Sequence, residues 1–227
     1  MAWREAIEEN GFAILPALFP AEHVDRFLQE LNRLSPTRSR AGVRHAMRFD
    51  PVATIAGDPL LAEIACGVLG SRAFPFRATL FEKSSAANWL VVWHQDTALP
   101  LRERVEVPGW GPWLVKETID YAYAPAGVLS QIVALRIHLD DSSADNGPLR
   151  VLPRTHMLGV LSDDDIHDLG VRITPVDCEV AKGRVIAMRP LLVHASSKSR
   201  GENPRRVLHI EYAAADSIAA PLQLAIA

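Results

Sequence analysis

A chain of 227 residues, 48% of them hydrophobic and 22% charged, is long enough to bury one sizeable core, and all-β barrels often reach this length as one domain. Its formal net charge of −3 gives no reason to expect nucleic acid as a partner. The opening MAWREAIEENGF lacks the basic start and apolar core of a secretion signal, and no apolar run approaches the roughly 18 residues of a membrane span. A cytoplasmic protein with no membrane partner is therefore expected. Cys66 and Cys178 lie in unrelated segments without metal-like spacing, which favours two buried reduced thiols over a disulfide or a zinc knuckle.

In chain order, the first 70 or so residues read as helical. In PAEHVDRFLQELNRL, Pro20 suits a first turn, and Val24, Phe27, Leu28, Leu31 and Leu34 fall on one stripe at helical spacing. DPLLAEIACGVLG repeats the pattern, with Asp58 as N-cap, Pro59 behind it and Gly70 as the stop. Between them SPTRSRAGVRHAMR has neither apolar period and carries Arg38, Arg40, Arg44, His45 and Arg48, so it reads as a cation-rich loop. After Gly70 come short β-type runs, FRATLFEK, NWLVVWH, SQIVALRIHLDD, PLRVLP, GRVIAMRP, LLVHAS and RRVLHIEYAA, separated by turn residues. The segment from Leu99 to Gly127, rich in Gly and Pro, reads as a long lid or binding loop.

Two of these strands carry more than a fold signal. In IVALRIHLD, Val133, Leu135, Ile137 and Leu139 share one face while Arg136 and His138 share the other; in RRVLHIEY, Leu208, Ile210 and Tyr212 oppose Arg205, Val207, His209 and Glu211. The ionisable faces are either solvated, as one side of an antiparallel sheet commonly is, or they line the polar interior of a barrel.

The tripeptide His94-Gln95-Asp96 poses the functional question. His-x-Asp arises by chance in a chain with 8 histidines, and a polar turn is its default reading. On an extended strand, however, positions i and i+2 point the same way, so an imidazole and a carboxylate could grip one ion. His194, closing the apolar run RPLLVH, is the strongest candidate for a third ligand, and two histidines with one carboxylate form the facial arrangement of non-haem Fe(II) oxygenases. Arg205 follows eleven residues later on the ionisable face of its strand. A guanidinium there suits the far carboxylate of a 2-oxoglutarate whose near end chelates iron, and Ser196 could add a hydroxyl.

WHQD, DDSSADNGPLRVLPRTH, RPLLVHASS and an arginine eleven residues past the distal histidine together resemble the phytanoyl-CoA dioxygenase family of Fe(II)/2-oxoglutarate oxygenases, over about Thr79 to Tyr212. The resemblance implies a mostly β protein with flanking helices. Its core would be a double-stranded β-helix (a jelly-roll, cupin-like barrel) in a single domain spanning 1–227, with the helical first 70 residues packed on the barrel. It implies His94, Asp96 and His194 on iron, Arg205 and Ser196 on 2-oxoglutarate, lesser cosubstrate roles for Lys83 and for a loop tryptophan mapped to Trp113, with Trp110 adjacent, and O2 as co-reactant. It also implies a hairpin at Asn146-Gly147. Arg154, in LPRTH, departs from the glycine common in relatives.

The expected activity is hydroxylation of an unactivated C–H bond, with 2-oxoglutarate decarboxylated to succinate. Asp96 argues against the related halogenases, which lack that carboxylate. A metal-dependent hydrolase or isomerase on a cupin-like barrel, and a non-catalytic binding protein with a relic site, are the competing readings. Because a CoA ester would need a sustained basic track that this acidic chain lacks, the substrate is expected to be a small polar metabolite, met by Arg136 with His138 and Arg154 at a mouth covered by the Arg38–Arg48 loop.

Overall fold

The structure, a computed structural model, describes residues 2–34, 36–39, 42–84, 87–218 and 220–227; Arg40 lies outside the described residues. The chain runs α1 (Ala2–Asn10), β1 (Phe12–Ala17), α2 (Ala21–Arg33), β2 (Gly42–Val43), α3 (Asp50–Ala56), α4 (Pro59–Leu69) and β3 (Ala73–Lys83). It continues with β4 (Val91–His94), β5 (Ala98–Leu101), β6 (Trp113–Lys116), β7 (Ile119–Tyr123), α5 (Ala126–Leu129), β8 (Ile132–His138) and β9 (Leu149–Val151). The last elements are α6 (Asp163–Arg172), β10 (Val176–Cys178), β11 (Arg184–Met188), β12 (His194–Ser196) and β13 (Arg205–Ala214).

Three antiparallel sheets result, ordered β1-β11-β8-β13-β3-β2, β10-β9-β12-β4 and β5-β7-β6. The strand alternation read from the sequence decides how the first sheet sits. Leu135 and Ile137 of β8 and Leu208, Ile210 and Tyr212 of β13 pack with Val24, Phe27, Leu31, Leu61 and Ile64 of the helices. The opposite face is buried too: Ile186 and Met188 of β11 meet Leu149 and Val151 of β9, so the second sheet covers the first. The result is the expected mostly β jelly roll with flanking helices. Its sheets face one another without closing into a continuous hydrogen-bonded barrel.

The helix signals hold in detail. Asp58 accepts from the Leu60 amide at the start of α4, and Gly70 ends it at φ +69°, a conformation glycine enters without cost. In α2, Val24, Phe27, Leu28 and Leu31 are buried, but the helix stops at Arg33 and Leu34 remains exposed. Three expectations need correction. The helical front contains β1, an edge strand on β11. The segment Leu99 to Gly127 is not one long loop, because β5, β6 and β7 form their own sheet within it. Asn146-Gly147 is not a hairpin: β8 pairs with β11 and β13 while β9 pairs with β10 and β12, so the turn carries the chain from one sheet to the other. Both cysteines are free thiols, Cys178 buried and Cys66 only partly so. No single helix among the described residues is long and apolar enough to cross a membrane.

Tyr212 ties sheet to helices at one point. Its hydroxyl donates to the Ala56 carbonyl at 2.8 Å in a fully buried setting. Tyr212→Phe should therefore destabilise the protein by about 1–3 kcal/mol through the abandoned carbonyl. Chemical denaturation should show this as a lower midpoint at unchanged slope.

Candidate metal centre

His94 ends β4 and His194 begins β12, and the antiparallel register sets them directly opposite each other. Cross-strand partners on one face are close by construction, and the two rings lie 4.2 Å apart between centroids. Asp96 follows His94 past a turn held by its neighbour. The buried Gln95 donates to the Leu191 and Gly159 carbonyls at 2.7 and 2.9 Å and accepts from the Leu161 amide at 2.9 Å. With its central residue locked into the surrounding loops, the tripeptide directs its outer two side chains to one point. Asp96 carboxylate oxygens lie 3.7 Å from His94 Nε2 and 3.5 Å from His194 Nε2, and one ligand atom from each of the three residues falls within 4.8 Å of the others.

The tautomers of both histidines follow from their backbone contacts. His94 Nδ1 sits 2.8 Å from the Val92 carbonyl and His194 Nδ1 2.8 Å from the Leu192 carbonyl. Each carbonyl can only accept, so each Nδ1 carries the proton and each Nε2 presents a lone pair to the shared point. Burial, and then the neighbouring His94, pushes His194 down to about 4, keeping that lone pair free. Burial would raise the Asp96 carboxyl, but the imidazoles of His194, His94 and His209 and the Arg77 guanidinium around it outweigh that and hold Asp96 well below the usual range. One carboxylate and two imidazoles that turn Nε2 toward it, with the cavity beyond them, match a facial triad.

A second cluster lies along β3, β13 and β8. Lys83 and Arg205 are direct register partners, and Arg136 is paired with His209 two rows further on. Lys83 is 1% exposed and Arg205 2% exposed, and no carboxylate forms an ion pair with either or with Arg136 among the described residues. Lys83 Nζ donates to Ser196 Oγ at 2.7 Å and to the Ser197 carbonyl. Arg205 reaches the Asn146 carbonyl and Ser196 Oγ, each at 3.3 Å, while its Nη1 is buried with no partner. Ser196 in turn donates to the Gly147 carbonyl at 2.8 Å. Gly147 sits at φ +69°, and a Cβ there would fall 2.3 Å from the Ser197 carbonyl, so the turn fits this close only without a side chain. Burial, followed by the Arg205 and Arg136 charges, pushes Lys83 down to about 7; burial and then Arg136 push Arg205 down to about 9.

A cavity of about 370 Å³ joins the two clusters, with His94, Asp96, His194, Ser196, Arg205 and Arg136 in its wall. Several sequence expectations fall outside it. His138 is fully buried, does not line the cavity and has both ring nitrogens unpartnered; burial, then Arg136 and Arg205, push it down to about 3. Arg154 is exposed beside Glu9, 3.5 Å away, and does not line the cavity. Trp113, like Trp110, packs in a peripheral apolar cluster under the β5-β7-β6 sheet and does not line the cavity. The tryptophan beside the cations is Trp89, whose ring centroid lies 5.2 Å from Lys83 Nζ. Arg136 does line the cavity, but its Nη1 meets His209 Nδ1 at 2.9 Å, deep inside and not at the mouth. Arg77 was missed, although it stands at even spacing from Lys83 in FRATLFEK and so had to share its face.

A family model described as phytanoyl-CoA dioxygenase matches residues 7–207. No curated protein matches the sequence. Among solved structures, AviO1 from Streptomyces viridochromogenes Tue57 is 23% identical, with 97% of each chain covered and a TM-score of 0.71. The non-haem α-ketoglutarate-dependent carbocyclase SnoK from nogalamycin biosynthesis is 16% identical, covering 99% of this chain and 85% of that one at a TM-score of 0.71. HygX from Streptomyces hygroscopicus, solved with nickel, 2-oxoglutarate and hygromycin B, is 17% identical, covering 95% and 87% at 0.69. At such identities these likenesses establish the shared fold, and with the family model matched over most of its length the chain belongs to the phytanoyl-CoA dioxygenase family.

Proposed function

We propose that this protein is an Fe(II)- and 2-oxoglutarate-dependent oxygenase that hydroxylates a C–H bond of a small molecule. The observation that carries the reading is the buried, acid-free cation cluster beside a facial triad. Like charges opposite one another on a sheet destabilise it, and a buried charge without a partner costs far more than a solvated one. A cluster of this kind becomes favourable when a carboxylate completes it. Arg205 Nη1, buried and unpartnered, is the donor left for that purpose. A hydrolase or isomerase on the same barrel would need the triad but not these cations.

His94, Asp96 and His194 would hold the metal through two imidazole Nε2 atoms and one carboxylate, and Arg205 and Ser196 on the cavity wall would hold the far carboxylate of 2-oxoglutarate, with Lys83, which does not itself line the cavity, adding its charge from behind Ser196. Bound there, iron and cosubstrate supply the oxidation, with O2 consumed and succinate and CO2 released. The protein's share is positional. The Val92 and Leu192 carbonyls fix both imidazole tautomers, Gln95 sets the angle of Asp96, and the Gly147 and Ser197 backbone shapes the pocket around Ser196. Solved relatives of this fold include an enzyme titled an epimerase and one titled a carbocyclase, and hydroxylation is the outcome proposed here.

His94→Ala, Asp96→Ala and His194→Ala should each lower Fe(II) affinity by at least about tenfold, since each removes one of three protein ligands. Anaerobic titration reads this directly, and stoichiometric iron in all three variants would refute the triad.

Arg205→Ala should weaken 2-oxoglutarate binding by about 1.5–3 kcal/mol, or roughly 10- to 150-fold. Arg206→Ala should leave it nearly unchanged, because Arg206 is already spent on Asp140 in a two-point pair with both contacts at 2.7 Å. Succinate formation titrated against 2-oxoglutarate separates the two variants.

Binding should also move a proton. With free Lys83 at about 7, an arriving carboxylate favours its charged form, so at pH 8 the complex takes up protons that the free protein lacks. Calorimetry in buffers of different ionisation enthalpy should show uptake that disappears in Lys83→Met.

A further inference from the structure

We propose that the substrate of this site carries an anionic group, a carboxylate or a phosphate ester, and that Lys116 and Arg44 bind it at the end of the cavity remote from Arg205. The inference rests on the functional reading above and names the substrate class for it.

The two ends of the cavity are far apart. Along β13, Arg205 and Glu211 are six residues apart, roughly 20 Å at the usual rise of an extended strand. At the Glu211 end the wall is formed by Arg44, His45, Arg77, Lys116 and Tyr121. Charge at this end divides into pairs already made and cations left over. Arg77 is matched by Glu211 through two contacts, Nη2 to Oε1 at 2.6 Å and Nε to Oε2, and its Nη1 donates to the Ala98 carbonyl at 2.9 Å. Glu117, adjacent to Lys116 in sequence, is engaged elsewhere, 3.3 Å from His45 Nδ1 and 3.5 Å from Arg48. Arg38, in the same loop as Arg44, is bound to Glu82 at 2.8 Å.

Lys116 and Arg44 have no such partner: no hydrogen bond or ion pair to a carboxylate is formed by either among the described residues. Lys116 is half-buried, with its ammonium 4.6 Å from the Tyr121 ring centroid, so it is held over an aromatic face and not free in solvent. Burial, and next the Arg77 and Arg44 charges, push Lys116 below the usual lysine range. His45 joins this end through Nε2, 2.9 Å from the Tyr121 hydroxyl. Burial lowers His45 as well, so near neutral pH it adds a hydrogen-bonding ring more than a second charge.

Two separate elements thus bring one unmatched cation each to the same opening: Lys116 from the end of β6, Arg44 from the segment after β2. A neutral substrate would leave the half-buried Lys116 unmatched, with the exposed Arg44 beside it at the rim. A small anion would satisfy them together, with the Tyr121 hydroxyl as a third polar contact. Lys116 takes the role the sequence reading gave to Arg136 and Arg154, neither of which stands at this opening.

The test uses the Fe(II)-loaded protein under anaerobic conditions, with and without 2-oxoglutarate. It is titrated calorimetrically with matched sets of small molecules: a carboxylate, the corresponding phosphate ester and the corresponding neutral amide or alcohol. Anionic members should bind, neutral counterparts at least about tenfold more weakly, and Lys116→Met and Arg44→Met should each reduce anion binding by about tenfold. Arg38→Met, which removes a cation of the same loop that does not face the cavity, should bind as wild type. Which anionic arm binds decides between carboxylate and phosphate. Neutral members binding as well as anions, anion binding indifferent to both substitutions, or no anionic member binding at all would overturn the proposal. If 2-oxoglutarate itself fails to bind wild type, the cosubstrate reading falls instead, and the titration without it still decides whether Lys116 and Arg44 form an anion site.

Discussion

Three buried cations without an acid among them set the terms for the whole site. Lys83 faces Arg205 across the β3–β13 ladder, and Arg136 looks in from β8. Hydrophobic burial on the helix side fixes this sheet's orientation, and with period-two alternation the charged face then turns inward, with Arg136 and Arg205 on the cavity wall. The fold tolerates the cluster through acceptors that are not carboxylates: Ser196 Oγ, the carbonyls of Asn146 and Ser197, and His209 Nδ1 for Arg136. Those acceptors are placed by the Asn146-Gly147 passage between the sheets, which is why its local geometry matters beyond the turn itself. Asn146 secures that passage by donating to the Asp141 carbonyl and accepting from the Ser143 amide.

The metal centre depends on the same two-sheet arrangement from the other side. Pairing of β12 with β4 brings His194 to His94, and pairing of β12 with β9 places Ser196 beside Leu149, so triad and cation cluster share one short strand. A three-residue strand thereby links a candidate iron ligand to a candidate cosubstrate ligand at i and i+2. The distance between the two functions is set by backbone geometry and is insensitive to side-chain rearrangement.

Much of this was legible before any coordinates. The periods of β8 and β13 separate the face packed on the helices from the face that carries Arg136, Arg205, His209 and Glu211, and the caps of α4 fall where Asp58 and Gly70 put them. The errors share a cause, since one chain's local pattern cannot report which element covers which. β1 is short, and the pairing with β11 that makes it a strand lies about 170 residues away. Trp113 and Trp89 are equally plausible as aromatic residues near a β-run, and only the sheet order sets Trp89 against Lys83 and buries Trp113 elsewhere. Arg154 was misjudged for the same reason: the side a loop residue faces is decided by its tertiary neighbours, not by its spacing.

The central claim is that Lys83, Arg205 and Arg136 form an ion cluster lacking its anion, as opposed to a structural network already complete. Thermal unfolding of Lys83→Met against wild type, as a function of pH and without ligand, tests it most directly. Lys83 is depressed in the folded state to about 7, below an ordinary lysine, so the unfolded chain binds more protons between those two values and wild-type stability rises with pH across that window. Removing the charge should therefore raise the melting temperature most at pH 6, where the buried cation is fully charged, with the advantage shrinking as pH climbs above about 7. A Lys83→Met protein less stable than wild type at pH 6 would show the lysine to be a satisfied structural element and would contradict the account.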